Sequence, residues 1–138
     1  MIYFEITGQT PSKKTSQRII RMRGSGRPKI LPNLKYSKWE SRAVLELKAQ
    51  KTEKGLKKID YPISLTALIY RQNKGKKPDL VNLLQSICDV LQKAEIIADD
   101  SIIASLDGSR ILSVSEPEDE AAEIFIFKIN EERIEYKF

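Results

Sequence analysis

Leu80, Leu83, Leu84, Ile87, Cys88 and Leu91 fall at i, i+3, i+4, i+7, i+8 and i+11, the spacing that gathers apolar side chains onto one face of an α-helix. A helix with a single buried face is predicted there, and Cys88 is expected to be an inert core residue. A second helix is predicted to begin at Ser37-Lys38-Trp39-Glu40. This fits a capping box, in which the Ser37 side chain accepts from the Glu40 N–H and the Glu40 carboxylate reaches back. Trp39, Ala43, Val44 and Leu47 continue the helical spacing, and Lys48, Lys51, Lys54, Lys57 and Lys58 collect toward the end, where positive charge suits the macrodipole. In that pattern Trp39 is a core residue rather than a platform for stacking bases.

Elsewhere the period is two. Ile2 to Thr7, Ile63 to Tyr70 and Glu123 to Ile129 read as strands, rich in β-branched and aromatic residues. Ser101 to Ala104 and Ile111 to Val114 are expected to pair as a hairpin turning at Asp107-Gly108, a dipeptide suited to positive φ. Between Gln17 and Lys35, six basic residues interleave with Gly24, Gly26, Pro28 and Pro32, which favours a ribbon or loop over a helix. Arg71 to Lys77 is expected to be a polar loop, and Glu116 to Glu120 an acidic one. Several strands with two helices predict an α+β fold: a single domain over residues 1–138, with a mixed or antiparallel sheet and two main helices.

The chain has 138 residues, 41% of them apolar, enough for a substantial core. No apolar run approaches the roughly 20 residues of a membrane span, and Met1-Ile2-Tyr3-Phe4-Glu5 lacks the regions of a signal peptide, so a cytoplasmic location is expected. A single cysteine excludes an intramolecular disulfide, and the absence of histidine removes the common zinc sites and histidine-based triads. Any catalysis must come from carboxylates, lysines, hydroxyls or backbone. The net charge of +5 conceals a division: residues 1–77 carry 19 Lys/Arg against 5 Asp/Glu, and residues 78–138 carry 5 against 14. Such an excess in the first half suits an anionic polymer, because neutralised phosphates release counterions. A solvated basic surface without a partner is the alternative.

Two carboxylate sites flank the Leu80 helix. Asp79 directly precedes it and suits an N-cap as well as a metal ligand. Asp99-Asp100 follows it, where carboxylates also make turns. A helix rising about 1.5 Å per residue separates the two, so they meet only if the chain doubles back. Carboxylates beside a basic surface are what a magnesium-dependent nuclease needs.

Pro78-Asp79-Leu80-Val81-Asn82-Leu83-Leu84-Gln85, then Asp89-Val90-Leu91, then Ile96-Ile97-Ala98-Asp99-Asp100-Ser101 resembles the RusA family of Holliday junction resolvases. That family reads Asp-x-Asp-Asn-Leu-x-Lys, an Asp-Ala-Leu on the same helix, and Asp-Asp before the next strand. The N-terminal strand, Pro11-Ser12, and Lys35-Tyr36-Ser37-Lys38-Trp39-Glu40 extend the likeness over most of the chain. The resemblance implies a small homodimeric endodeoxyribonuclease of DNA recombination and repair, dependent on Mg2+ with Mn2+ as a substitute, that makes paired nicks across a four-way junction. It implies Asp79, Asp99 and Asp100 as catalytic residues, with Asp79 and Asp100 holding the metal. Asp89 matches a motif position but is expected to face solvent in a supporting role.

Phosphate contacts are expected from Lys13, Lys14, Arg21, Arg23, Arg27, Lys74, Lys76 and Lys77. Two residues depart from the pattern: Val81 replaces the second aspartate, removing a hard oxygen ligand, and Gln85 replaces the lysine, removing a cation that could offset developing phosphate charge. The alternative expectation is therefore a relative that binds branched DNA without cleaving it. A basic protein that binds RNA or another protein is a third reading.

Overall fold

Ile63, Leu65, Ala67 and Ile69 are fully buried at every second position, and the computed structural model, which describes residues 1–13, 17–21 and 28–129, makes them the spine of a mixed sheet. Strand β1 is Ile2–Thr7, β2 Gln17–Arg21, β3 Pro28–Pro32 and helix α1 Leu34–Glu53, followed by β4 Ile63–Gln72, α2 Leu80–Lys93, β5 Ile103–Ser105, β6 Arg110–Val114 and β7 Ala121–Lys128. In the main sheet β1 pairs antiparallel with β7 and β7 antiparallel with β4. The free edge of β4 takes β5 and β6, both parallel. The Gln17 to Lys35 stretch does contain a ribbon, β2 against β3. No helix among the described residues is long and apolar enough to cross a membrane.

The alternation expected in β1, β4 and β7 sends Phe4, Ile6, Ile124 and Ile126 inward beside the β4 residues. They meet Tyr36, Trp39, Ala43 and Leu47 of α1, and Leu83, Leu84, Ile87, Val90 and Leu91 of α2. Trp39 is core, as its spacing predicts, and Val44 is half-buried against it. Cys88 departs from expectation: it is half-buried, not in the core, and Val90 is fully buried instead.

Two further expectations change. Helix α1 starts three residues before Ser37, because Asn33 is the cap: its side chain accepts from Lys35 N at 3.0 Å and Tyr36 N at 3.3 Å. Ser37 N already donates to Asn33 O at 2.9 Å, and Glu40 turns to Lys93 at 2.9 Å. The Asp107-Gly108 turn does not fold β5 onto β6. Gly108 adopts φ +81°, but Thr66 Oγ1 donates to Asp107 O at 2.7 Å and Ala67 N donates to Ser109 Oγ at 3.0 Å. The turn thus steps out from β4 and rejoins it. Ile103 and Ile111 both pack against the core, and the two segments run in the same direction along the β4 edge. Strand β4 also runs two residues longer than expected, taking Arg71 and Gln72 out of the loop.

Asn33→Ala should destabilise the fold by about 1 kcal/mol, the usual cost of a lost cap, and Ser37→Ala should stay within about 0.5 kcal/mol of the parent. Urea unfolding of both variants checks the assignment; the opposite ranking would make Ser37 the cap.

Candidate active site

Asp79 caps α2, as its position before the apolar stripe suggests. Its Oδ1 accepts from Val81 N at 3.1 Å and its Oδ2 from Asn82 Nδ2 at 2.9 Å. Capping thereby fixes the carboxylate at the helix N-terminus, where the macrodipole favours negative charge.

At the other end of α2, Glu95 turns the chain with φ 59°, a left-handed conformation uncommon for a residue with Cβ, and Ile96 N donates to Leu91 O at 2.9 Å. Buried Ile96 and Ile97 follow. Ile59 N donates to Ile96 O, and Ala98 N to Ile59 O, both at 2.9 Å, so the segment is clamped beside the start of β4. Asp99 then accepts from Ser101 N at 3.2 Å, and hydrogen bonds from Ser101 hold its carboxyl below the ordinary aspartate value. Asp100 opens the short 3-10 turn Asp100–Ile102 that leads into β5.

Asp79 therefore stands at the N-terminus of a 14-residue helix, and Asp100, after the turn at its other end, lines the groove beside Cys88. Parallel pairing of Ile103 with Ile63, at the start of β4, keeps them apart. Among the described residues no three His, Cys, Asp or Glu side chains gather as a metal site.

A groove of about 500 Å3 runs along α2 between these ends, with Val81 and Gln85 at one part, Cys88 and Asp100 at another, and Lys13 and Asp89 also on its wall. Val81 is 62% exposed, so its methyls face the groove where the motif aspartate would stand. Asp89 does not point freely to solvent: Lys13 lies 3.3 Å and Lys93 3.4 Å from its Oδ2. Burial pushes the Asp89 carboxyl up, and the two ammonium groups outweigh this and leave it low. Burial, reinforced by Asp100 and Asp89, pushes the Cys88 thiol up to about 11. At neutral pH it is a protonated thiol, neither nucleophile nor soft metal ligand.

A second depression, of about 590 Å3, lies at the Asp79 end. Lys76 and Lys77, two of the residues expected to contact phosphate, line it, joined by Lys35, Tyr36 and Arg71, which the sequence does not single out. Tyr36 read as helix entry and Arg71 as loop; only the packed fold puts them on one wall. Lys74 is exposed in the same loop. Arg21 ends β2, and Lys14, Arg23 and Arg27 lie outside the described residues.

The resemblance implies magnesium, which takes hard oxygen ligands at about 2.0–2.1 Å. Asp79 and Asp100 of one chain do not fit around one such ion, because each lines a different depression and no third carboxylate joins either among the described residues.

A family model described as Endodeoxyribonuclease RusA matches residues 9–126. A crossover junction endodeoxyribonuclease RusA from Aquifex aeolicus (strain VF5) is 38% identical over 88 residues, which cover 64% of this chain and 64% of that protein. The matched family segment begins just after β1, takes in both helices and the groove along α2, and ends within β7. The chain belongs to the RusA family of endodeoxyribonucleases.

Proposed function

We propose that the protein is a structure-specific endodeoxyribonuclease that makes paired nicks in four-way DNA junctions, works as a two-fold dimer in the cytoplasm, and uses Mg2+ or Mn2+. The observation that carries this reading is the gapless spacing from Asp79 to Asp100 at the two ends of one buried helix, in a chain of this family.

Two equivalent nicks on opposed strands need two equivalent sites, which isologous C2 assembly supplies. A dimer axis that sets two α2 helices antiparallel also answers the separation of the two carboxylates within one chain, since it puts Asp79 of one protomer beside Asp100 of its partner. Each site then takes one carboxylate from each chain, with Asp99 adjacent. When bound there, the cation would supply Lewis-acid stabilisation of the reacting phosphate and a more acidic water. The chain's own contribution is to fix Asp79 by its capping bonds, to deliver Asp100 from the Ile59–Ile97 clamp, and to draw phosphates to the basic first half.

Val81 and Gln85 give the second reading its support. An exposed aliphatic side chain stands where an oxygen ligand is expected, and a neutral amide where a lysine is. A dimer with those replacements binds branched DNA and leaves it uncut. Incubating labelled four-way junction and matched duplex with the protein and either metal separates the readings: paired nicks on the junction support the nuclease, and tight binding without nicks under either metal supports the binder.

Asp100→Asn should lower metal-dependent nicking by at least about a hundredfold, equivalent to roughly 2.7 kcal/mol, while junction affinity stays within about twofold. Full activity in that variant would show that another carboxylate holds the ion.

Val81→Asp should strengthen divalent-metal affinity of the junction complex by calorimetry and raise nicking by roughly tenfold, about 1.4 kcal/mol. The cost to stability is small because the side chain is already exposed and an acidic residue suits a helix N-terminus. Unchanged metal affinity and cleavage in the folded variant would place position 81 away from the ion.

Light scattering at micromolar concentration should give twice the chain mass, with or without junction; a monomer under both conditions would remove the dimer from the reading.

A further inference from the structure

We infer that the depression at the Asp79 end of α2 is a discrete pocket for a single backbone phosphodiester of the DNA strand, held by Arg71 and Tyr36 with Lys35, Lys76 and Lys77 around them. This rests on the nuclease reading only for the identity of the polymer; the pocket itself stands on side chains that the fold leaves with unused donors.

Tyr36 is 3% exposed and lines the depression, yet its hydroxyl has no hydrogen-bond partner. Arg71 Nε is likewise buried and unpartnered. A buried donor left without an acceptor keeps its full desolvation penalty, so two on the wall of one depression mark a place where an acceptor belongs. Burial already lowers the guanidinium's preference for charge, which the nearby Glu120 carboxylate only partly offsets.

Two carboxylates stand near. Glu120 accepts from Gln9 Nε2 at 2.9 Å and from Gln72 N at 3.1 Å. Asp79, the carboxylate that also lines the depression, has both oxygens in capping bonds. Against these two negative charges Arg71, Lys35, Lys76 and Lys77 set four positive ones, which leaves an excess of positive charge at the mouth. An acceptor with several oxygens and one negative charge meets all of these demands, and guanidinium with phosphate is a strong, directional pair. An internal diester fits better than a terminal monoester because a strand passing Asp79 must cross this opening.

The test is a salt titration of junction binding by the full chain. Parent protein, Arg71→Gln and Tyr36→Phe are compared on fluorescent four-way junction, with and without 5′-phosphates, and on junctions carrying one neutral methylphosphonate at successive positions. Inorganic phosphate serves as a competitor. Arg71→Gln should weaken binding about tenfold at moderate salt and flatten the log–log salt slope by about one. Tyr36→Phe, which removes one hydroxyl and keeps the ring, should weaken it about threefold with the slope unchanged. One methylphosphonate position should cost the parent affinity and cost Arg71→Gln nothing. Equal affinity with and without 5′-phosphate confirms the diester; a clear gain from 5′-phosphate, or millimolar competition by inorganic phosphate alone, overturns it in favour of a monoester site. If the parent binds with a steep slope, while both variants match it and no methylphosphonate position loses its effect, the pocket is overturned and the DNA reading stands. Binding by the parent that ignores salt overturns both.

Discussion

Parallel pairing of β5 with the beginning of β4 is the constraint on which the rest of this structure depends. Two parallel neighbours need a crossover, and α2 is that crossover. It must start near the end of β4 and return to its beginning, so whatever caps it and whatever follows it are held at opposite ends of the sheet. Asp79 and Asp100 occupy those two places. The Ile59–Ile97 bridge and the Glu95 turn make the second place as firm as the capping bonds make the first.

The N-terminal segment is tied to the same helix. Buried Ser86 donates to Pro11 O at 2.7 Å, and Lys13 reaches Asp89, which also faces Lys93, while Lys93 extends to Glu40 on α1. The lead into the basic ribbon is thus anchored to α2 by one part-buried hydrogen bond and a partly buried chain of charges. Because the Asp89 carboxyl is held low in the folded state, that contribution is present above the ordinary aspartate value near pH 4 and is lost as pH falls through the depressed one. The positions of groove, ribbon and carboxylates consequently share one scaffold element.

What the sequence reveals follows the range of the interaction. The α2 stripe except Cys88, the Trp39 face, three strands to within two residues at their ends, and the ribbon are set by local period and by glycine and proline, and they stand where expected. Asp79 as a cap is local too. Ser37 and Asn33 are both good caps, and the local pattern of a capping box does not reveal that the strand β3 ends one residue before Asn33. Asp107-Gly108 carries the signature of a tight turn, but whether the chain reverses or steps around a bulge depends on β4, about forty residues earlier. The same holds for the site. Helix rise is legible in the spacing from Asp79 to Asp100, the parallel return is not, and the meeting of Tyr36 with Arg71 exists only in the packed fold.

The central claim is that each site is completed across a two-fold axis, with one carboxylate from either chain. Mixing two inactive variants tests it. Asp79→Asn keeps a capping side chain, and Asp100→Asn keeps shape; each homodimer should be silent on the junction in Mg2+. After the two are unfolded together and refolded, the mixed dimer carries one doubly altered site and one intact site, and single-strand nicking should return to a substantial fraction of the parent rate. No recovery in a mixed dimer proven by mass spectrometry, with the parent nicking normally, would contradict the account and place both carboxylates in the site of a single chain.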